Sequence, residues 1–185
     1  MLSLSDEDRK AILELARQGV REAVFTGHPL FSSPATGIFG EPRGLFVTLH
    51  VCKKLRGCIG VIEGHTTLGE NLVRCAADSA LHDPRFAPLR PEELDDLEIE
   101  VSLLSAIRPI RAEEVEIGKH GLLVESGPRR GLLLPQVATE HRLGREQFLA
   151  ETCVKAGLPR EAWRAPETKI FGFECEIIPA VRQPL

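Results

Sequence analysis

The stretch LRGCIGVI, residues 55–62, has the apolar content of a β-strand, yet it also carries two glycines, an arginine and a cysteine. Glycine weakens a strand and often marks a place where a ligand or another backbone comes close. The preceding segment GLFVTLHV, residues 44–51, is also strand-like, and CKK between the two segments has the length of a turn. The pattern predicts an antiparallel hairpin over residues 44–62. Its glycines and polar residues indicate either a loose surface strand or a site built on the hairpin.

Side-chain alternation predicts which residues of this hairpin share a face. Successive side chains of a strand point to opposite faces. If the apolar residues of both strands face one core, odd-numbered residues pair with odd-numbered ones, and the loop has an odd number of residues, about three. The core face then contains Leu45, Val47, Leu49 and Val51 from the first strand and Leu55, Gly57, Ile59 and Val61 from the second. The opposite face contains Thr48, His50, Arg56 and Cys58, with Thr48 or His50 directly across from Cys58.

The other segments predict a single α+β domain over residues 1–185, with a mixed or mostly antiparallel sheet flanked by helices. The first helix lies within residues 5–26, and a TxxE capping box beginning at Thr67 opens the second. Two more strands are expected at 96–105 and 169–178, and another helix at 145–156. GLLVES and GLLLP flank GPRR, which predicts a second hairpin. Glu140 is expected to follow a strand with the sequence LLLPQVA.

Composition limits the function classes. A net charge of −4 and a pI near 5.9 disfavour a general attraction to nucleic acid or to anionic membranes. No apolar run approaches the roughly 18 residues of a membrane span, and the first ten residues lack the apolar core of a signal peptide. Five scattered cysteines without a CxxC pair predict neither a disulfide framework nor a metal site. We therefore expect a cytoplasmic protein with reduced thiols.

Cys58 is the candidate reactive group of the hairpin. Arg56 lies two residues away, roughly 6.5–7 Å along a strand, and a guanidinium near a thiol favours the thiolate. Gly60 is expected to leave a gap beside Cys58, and Gly57 to permit close backbone approach from the core side. The alternative is that Cys58 is a small packing residue, as cysteines in strands often are.

Three further residues are candidates for the same site. His120 and Glu140 supply a base and an orienting carboxylate if they approach the Cys58 thiol. Alternatively, His120 is a solvated loop residue. Arg85 follows an Asp-Pro turn, where it either holds an anion or simply belongs to the turn.

LRGCIG is followed along the chain by DPRFAPLRPEELDDLEIEVSLLS, HGLLVESG, GLLLPQVATE and FLAETCVKAGL. Together these segments resemble the AMMECR domain family, of which LRGCIG is the hallmark. In bacteria such proteins are called protein A of the AmmeMemoRadiSam system. The resemblance implies a larger and a smaller lobe, the smaller within about residues 106–140, and a cleft bearing the hexapeptide. It implies no settled activity, cofactor or oligomeric state, but it does imply a genetic association with a Memo-like protein and a radical-SAM protein.

Three functions are compatible with these observations. The first is binding of a small anionic or carbonyl ligand beside Cys58, with a thiol-dependent reaction in a pathway shared with the Memo-like and radical-SAM proteins. The second is a non-catalytic adaptor that docks a partner protein. The third is binding to RNA or DNA through arginine-rich loops such as GPRRG, which the acidic net charge disfavours.

Overall fold

The protein, described here by a computed structural model, has an α+β fold in which every named strand pair is antiparallel. This confirms the predicted fold class. The structure describes residues 4–29 and 32–179. Within them the chain forms two compact units, one containing the residues up to 104 together with those from 176 onward, and the other containing residues 105–175.

The first unit consists of a three-stranded sheet and two helices. Its helices are α1, Asp6–Thr26, and α2, Leu68–Leu81, and its strands are β1, Leu45–Val51, β2, Lys54–Val61, and β3, Leu97–Leu104. Strand β1 lies between β2 and β3. The core-facing residues Leu45, Val47 and Leu49 are fully buried, and the residues between them are half-buried, as the alternation predicts. The apolar sides of both helices belong to the same buried cluster.

Capping groups fix where the helices of the first unit begin and end. The Ser5 side chain accepts from the backbone N–H of Asp8, and the Asp8 carboxylate accepts from that of Ser5, which forms a capping box. Gly27 ends α1 in the left-handed conformation, with φ 76°. Thr67 and Glu70 form the predicted capping box of α2. Residues close in sequence therefore determine where both helices begin and where α1 ends.

The β1–β2 turn differs from the prediction. Val51 pairs with Lys54, so the loop contains two residues, Cys52 and Lys53, and both have positive φ angles of 50° and 64°. The predicted odd–odd pairing is nevertheless correct from Leu45 to Leu49, because the register shifts by one residue between Leu49 and His50. A β-bulge thus compensates for the shorter turn.

The bulge places one extra residue on β2. Leu49 pairs with Gly57 and His50 pairs with Leu55, which leaves Arg56 without a partner on β1. The prediction that Leu55 belongs to the core face is wrong, since Leu55 is 40% exposed. Side-chain alternation predicts the faces of β2 only on the Cys58 side of the bulge, because a bulge interrupts the two-residue period.

The second unit contains the other strands and a core of its own. Its strands are β4, Arg108–Pro109, β5, His120–Ser126, β6, Arg129–Leu133, and the larger part of β7, Lys169–Ile178, whose last residues belong to the first unit. Strand β5 pairs with both β6 and β7. Its helices are α3, Pro135–Glu140, and α4, Arg145–Lys155, so PQVATE forms a helix and the predicted strand LLLPQVA is wrong beyond Leu133. Proline at the first helical position explains the change. The buried residues of this core are Val115, Leu122, Ala138, Phe148 and Leu149.

Among residues 4–29 and 32–179, no helix combines the length and the apolar content that crossing a membrane requires.

Candidate functional site

The two glycines of the hexapeptide are explained by packing. A side chain at Gly57 would collide with the backbone carbonyl of Ser79 in α2, so glycine lets the helix approach the strand closely, as predicted. A side chain at Gly60 would collide with the ring of Phe46 and the carbonyl of Leu45. The expected gap beside Cys58 is therefore wrong at Gly60, where the Phe46 ring already occupies the space.

Ser79 connects α2 to both strands of the hairpin. Its hydroxyl accepts from the backbone N–H of Ile59 at 2.9 Å and donates to the carbonyl of Val47 at 2.9 Å. The Ser79 side chain is 1% exposed, so this bridge is shielded from water. Together with Gly57, it fixes the helix against the strand segment that carries Cys58.

Three separate hydrogen bonds surround Cys58. Its backbone N–H donates to Oδ2 of Asp83 at 2.8 Å, and its carbonyl accepts from Nη2 of Arg85 at 3.2 Å. Its thiol lies 3.3 Å from the hydroxyl of Thr48, the residue directly opposite on β1, and either group can donate. The residue is half-buried. The thiol therefore lies on the polar face of the hairpin, on a strand whose backbone is held on both sides.

Asp83 and Arg85 come from the α2–β3 connector, residues 82–96. The Asp83 carboxylate accepts from Nε of Arg85 at 2.9 Å, from Nη2 at 2.6 Å and from the Arg85 backbone N–H at 3.1 Å. The Asp83 side chain is 3% exposed and that of Arg85 is 53% exposed. Hydrogen bonding from Arg85 is the main reason that the pKa of Asp83 lies well below its ordinary range, so Asp83 is ionised.

Arg56 contacts the far end of the same connector. Its Nε and Nη2 donate to the two carboxylate oxygens of Glu93 at 2.8 and 3.0 Å, and its Nη1 and Nη2 donate to the carbonyls of Ala87 and Pro88 at 2.8 and 3.3 Å. These contacts use four of the five N–H donors of a guanidinium. The hydrogen bonds from Arg56 lower the pKa of Glu93. Arg56 thus holds the connector, whereas Arg85 is the arginine that contacts Cys58.

The polar face extends across β3. Thr48 pairs with Cys58 on one side and with Glu100 on the other, and His50 lies between Leu55 and Glu98. Cross-strand neighbours of this kind lie about 4.5–5.5 Å apart. The sequence reasoning missed Glu98 and Glu100, although their alternation with Ile99 and Val101 was visible. It also missed the contact from Asp83 to the Cys58 backbone, because no local pattern reports a hydrogen bond across 25 residues.

The other cysteines differ from Cys58 in their surroundings. Burial raises the pKa of the Cys75 thiol to about 12 and also raises that of Cys153. Cys52 is exposed in the β1–β2 turn, and Cys175 is half-buried on β7. None of the five is in a disulfide. In the described ranges, no cluster of three or more His, Cys, Asp or Glu side chains is arranged to hold a metal ion.

His120 and Glu140 both belong to the second unit, whereas Cys58 belongs to the first. His120 is the first residue of β5, and its Nδ1 accepts from the backbone N–H of Glu116 at 3.1 Å. Glu140 is the exposed last residue of α3. No hydrogen bond or ion pair joins the two in the part of the chain that the structure describes. Their grouping with Cys58 stays a prediction.

The sequence matches a family model and proteins from other organisms along most of its length. A family model described as AMMECR1 matches residues 13–178. A protein of Methanothermobacter thermautotrophicus is 40% identical over 182 residues, which cover 94% of this chain and 95% of that protein. One from Thermococcus gammatolerans is 40% identical over 206 residues and covers 100% of both chains.

A solved structure shows the same fold. The crystal structure of an uncharacterised protein from Pyrococcus horikoshii matches with a TM-score of 0.85 at 38% sequence identity, covering 98% of this chain and 99% of that one. The family match spans the hairpin, the connector and the second unit alike. The chain therefore belongs to the AMMECR1 family, as the LRGCIG segment and the order of the other segments predicted.

Proposed function

We propose that the protein binds a small molecule carrying a carbonyl or anionic oxygen beside Cys58, and that the Cys58 thiol reacts with it. The observation that carries this proposal is a half-buried cysteine, Cys58, whose backbone carbonyl accepts from the exposed guanidinium of Arg85 and whose backbone N–H is held by Asp83. In this proposal Arg85 takes the ligand oxygen, Thr48 orients the thiol, and Arg56 keeps the connector in place.

Side chains from α2 and the connector hold the strand segment that carries Cys58. Asp83 and Arg85 bind the backbone N–H and carbonyl of Cys58, and Ser79 binds the backbone of the next residue. A thiol that reacts selectively needs such a fixed position, because small displacements of reacting atoms cost much of the rate.

The test is ligand retention and genetic complementation. The wild-type protein, incubated with a metabolite extract, is expected to retain a small molecule that native mass spectrometry detects. Cys58→Ala and Arg85→Ala are each expected to lose this molecule and to fail to complement a deletion strain. Cys52→Ala, which removes the exposed thiol of the same hairpin, is the control and should behave as wild type. A Cys58→Ala protein that retains the molecule and complements fully would overturn the proposal.

The Memo-like and radical-SAM proteins are the proposed partners, and the family resemblance is the reason. We place the protein in the cytoplasm with them, because its five cysteines are all free thiols and reducing compartments preserve such thiols. Co-purification of the three proteins from one strain tests the partnership. A stoichiometric complex that survives Cys58→Ala would favour the adaptor function, and absence of any complex would count against both roles with these partners.

A further inference from the structure

The guanidinium of Arg85 has one free edge. Nε and Nη2 donate to the Asp83 carboxylate, and the second N–H of Nη2 donates to the carbonyl of Cys58. Nη1 takes part in none of these three hydrogen bonds, and the side chain is 53% exposed. The ring of Phe86 lies 5.3 Å below the guanidinium carbon and helps to fix its plane. Arg85 can therefore offer a ligand the two N–H groups of Nη1.

The charge of this guanidinium is already balanced. Asp83 is buried and ionised beside it, so the pair carries no net charge. Arg56, the arginine of β2, is paired in the same way with Glu93. Thr48 faces Cys58 from β1 with a neutral hydroxyl, and burial raises the pKa of the Cys75 thiol on α2 to about 12, so that thiol is protonated. On the polar face beyond them lie His50, Glu98 and Glu100. The residues around Cys58 thus supply hydrogen-bond donors without a surplus of positive charge.

We propose, on the basis of the proposed function, that this site selects a neutral carbonyl compound, such as an aldehyde, over a carboxylate or a phosphate. The N–H groups of Nη1 bind the carbonyl oxygen while the Cys58 sulfur attacks the carbonyl carbon. The thiol first releases its proton to water. The new S–C bond then forms as the carbonyl π electrons move onto the oxygen, and the oxygen takes up one proton to give a hemithioacetal. The step needs no oxidant or reductant, and donors placed at the developing oxyanion are the usual means of stabilising it.

Two alkylating reagents of similar size separate the effect of charge from that of shape. Iodoacetamide is neutral and iodoacetate is an anion, and both modify thiolates. The rate of each at Cys58 is measured by peptide mass spectrometry, and the same protein unfolded in urea supplies the reference ratio. The quantity compared is the rate with iodoacetamide divided by the rate with iodoacetate. In the native protein this ratio is expected to equal or exceed the ratio in the unfolded chain. A native preference for iodoacetate, relative to that reference, would overturn the proposal.

Variants of the ion pair change the charge in opposite directions. Asp83→Asn uncovers the Arg85 charge and should shift the rate ratio toward iodoacetate by about fivefold, the effect of one charge roughly 4 Å away in a water-like dielectric. Arg85→Gln leaves the Asp83 charge uncovered and should shift the ratio toward iodoacetamide, which tests the idea independently if Asp83→Asn folds poorly. Asp95→Asn, at an exposed carboxylate of the same connector, is the control and should leave the ratio unchanged. Unchanged ratios in both pair variants would overturn the inference.

Competition by small ligands completes the test. Propanal is expected to slow alkylation of Cys58 in the wild-type protein, and propionate at equal concentration is not. Protection by propionate alone would refute the selectivity. The alkylation rates report the charge around Cys58 whether or not the cell needs this residue. The selectivity can therefore be refuted while Cys58 is still required for complementation, and it can be confirmed while Cys58 is not required.

Discussion

Gly57 lies where β2 passes against the end of α2, and its missing side chain is what brings the two together. Replacement by alanine would drive Cβ into the carbonyl of Ser79, a backbone atom that cannot rotate away. We expect Gly57→Ala to lower the free energy of unfolding by about 2 kcal/mol or more, the cost of overpacking a tight contact. Urea unfolding followed by circular dichroism measures it.

The matched control for Gly57 is Gly144, the N-cap of α4. A side chain there would make only an ordinary contact with Gln147, and serine is a preferred N-cap residue. Gly144→Ser should therefore keep or slightly raise the stability. If Gly57→Ala unfolds at the same urea concentration as Gly144→Ser, the close approach of α2 to the strand is wrong.

Arg56 and Arg85 make contacts that the sequence did not predict. Alternation puts Arg56 on the face of Cys58, but Arg56 is the extra residue of the bulge, and its guanidinium extends to Glu93. Arg85, which follows a turn and has no periodic pattern around it, reaches Cys58 instead. The two-residue alternation of a strand predicts the direction of the Cα–Cβ bond. The position of the charged end of a long side chain depends instead on the hydrogen-bond acceptors within its reach.

The α2–β3 connector is an irregular segment that β2 holds at two places. Near its start, Asp83 and Arg85 bind the backbone of Cys58 on β2, and near its end Arg56 of β2 binds Glu93 and the carbonyls of Ala87 and Pro88. Outside its 3₁₀-helix, Pro91–Asp96, the connector has no ladder or helix to satisfy its backbone polar groups, so it needs such partners. Arg56 of the hexapeptide supplies one of them.

Arg56→Lys tests this role of Arg56. Lysine keeps the charge but cannot form the two parallel hydrogen bonds with Glu93. Both side chains are less than a fifth exposed, at 19% and 16%, so solvent screens the pair only partly. We expect the free energy of unfolding to fall by about 1–3 kcal/mol and amide hydrogen exchange to accelerate in residues 83–93.

Arg90 provides the control for this substitution. It also approaches Glu93, at 3.6 Å, but its side chain is 75% exposed. Exposed pairs contribute little, so Arg90→Lys should change the stability by less than about 0.5 kcal/mol. Equal effects of Arg90→Lys and Arg56→Lys would contradict the assignment of Arg56 to the connector.

At the scale of the whole molecule, the chain forms two units, each with a separate buried cluster. Phe148 is fully buried in the second cluster, and Trp163, the single tryptophan of the protein, packs against the same cluster. We expect Phe148→Ala to cost about 3–5 kcal/mol and to lower the unfolding midpoint that Trp163 fluorescence reports. Phe25→Ala, at a side chain 61% exposed on α1, should leave that midpoint unchanged. An unchanged midpoint in Phe148→Ala would mean that Trp163 does not report this core.

The sequence was sufficient for the features that depend on neighbouring residues. The hairpin, the odd–odd pairing up to Leu49 and the capping box at Thr67 all follow from periods and caps of a few residues. The same reasoning put Thr48 or His50 opposite Cys58, and the structure selects Thr48. The sequence was misleading at two places. The β1–β2 turn has two residues, so a bulge was needed to keep the apolar residues of both strands on one face. At PQVATE, proline begins a helix although the apolar residues before it continue a strand pattern.

Only the tertiary structure decided which groups surround the thiol. The Cys58 backbone meets Asp83 across 25 residues, and Arg56 meets Glu93 across 37. These contacts depend on the burial of the Asp83 carboxylate, on the length of the Arg56 side chain and on the absence of a side chain at Gly57. Burial and distances between remote residues are defined only after the chain has packed. A pattern of a few residues therefore determined the strand that carries Cys58, and long-range packing determined the chemistry around it.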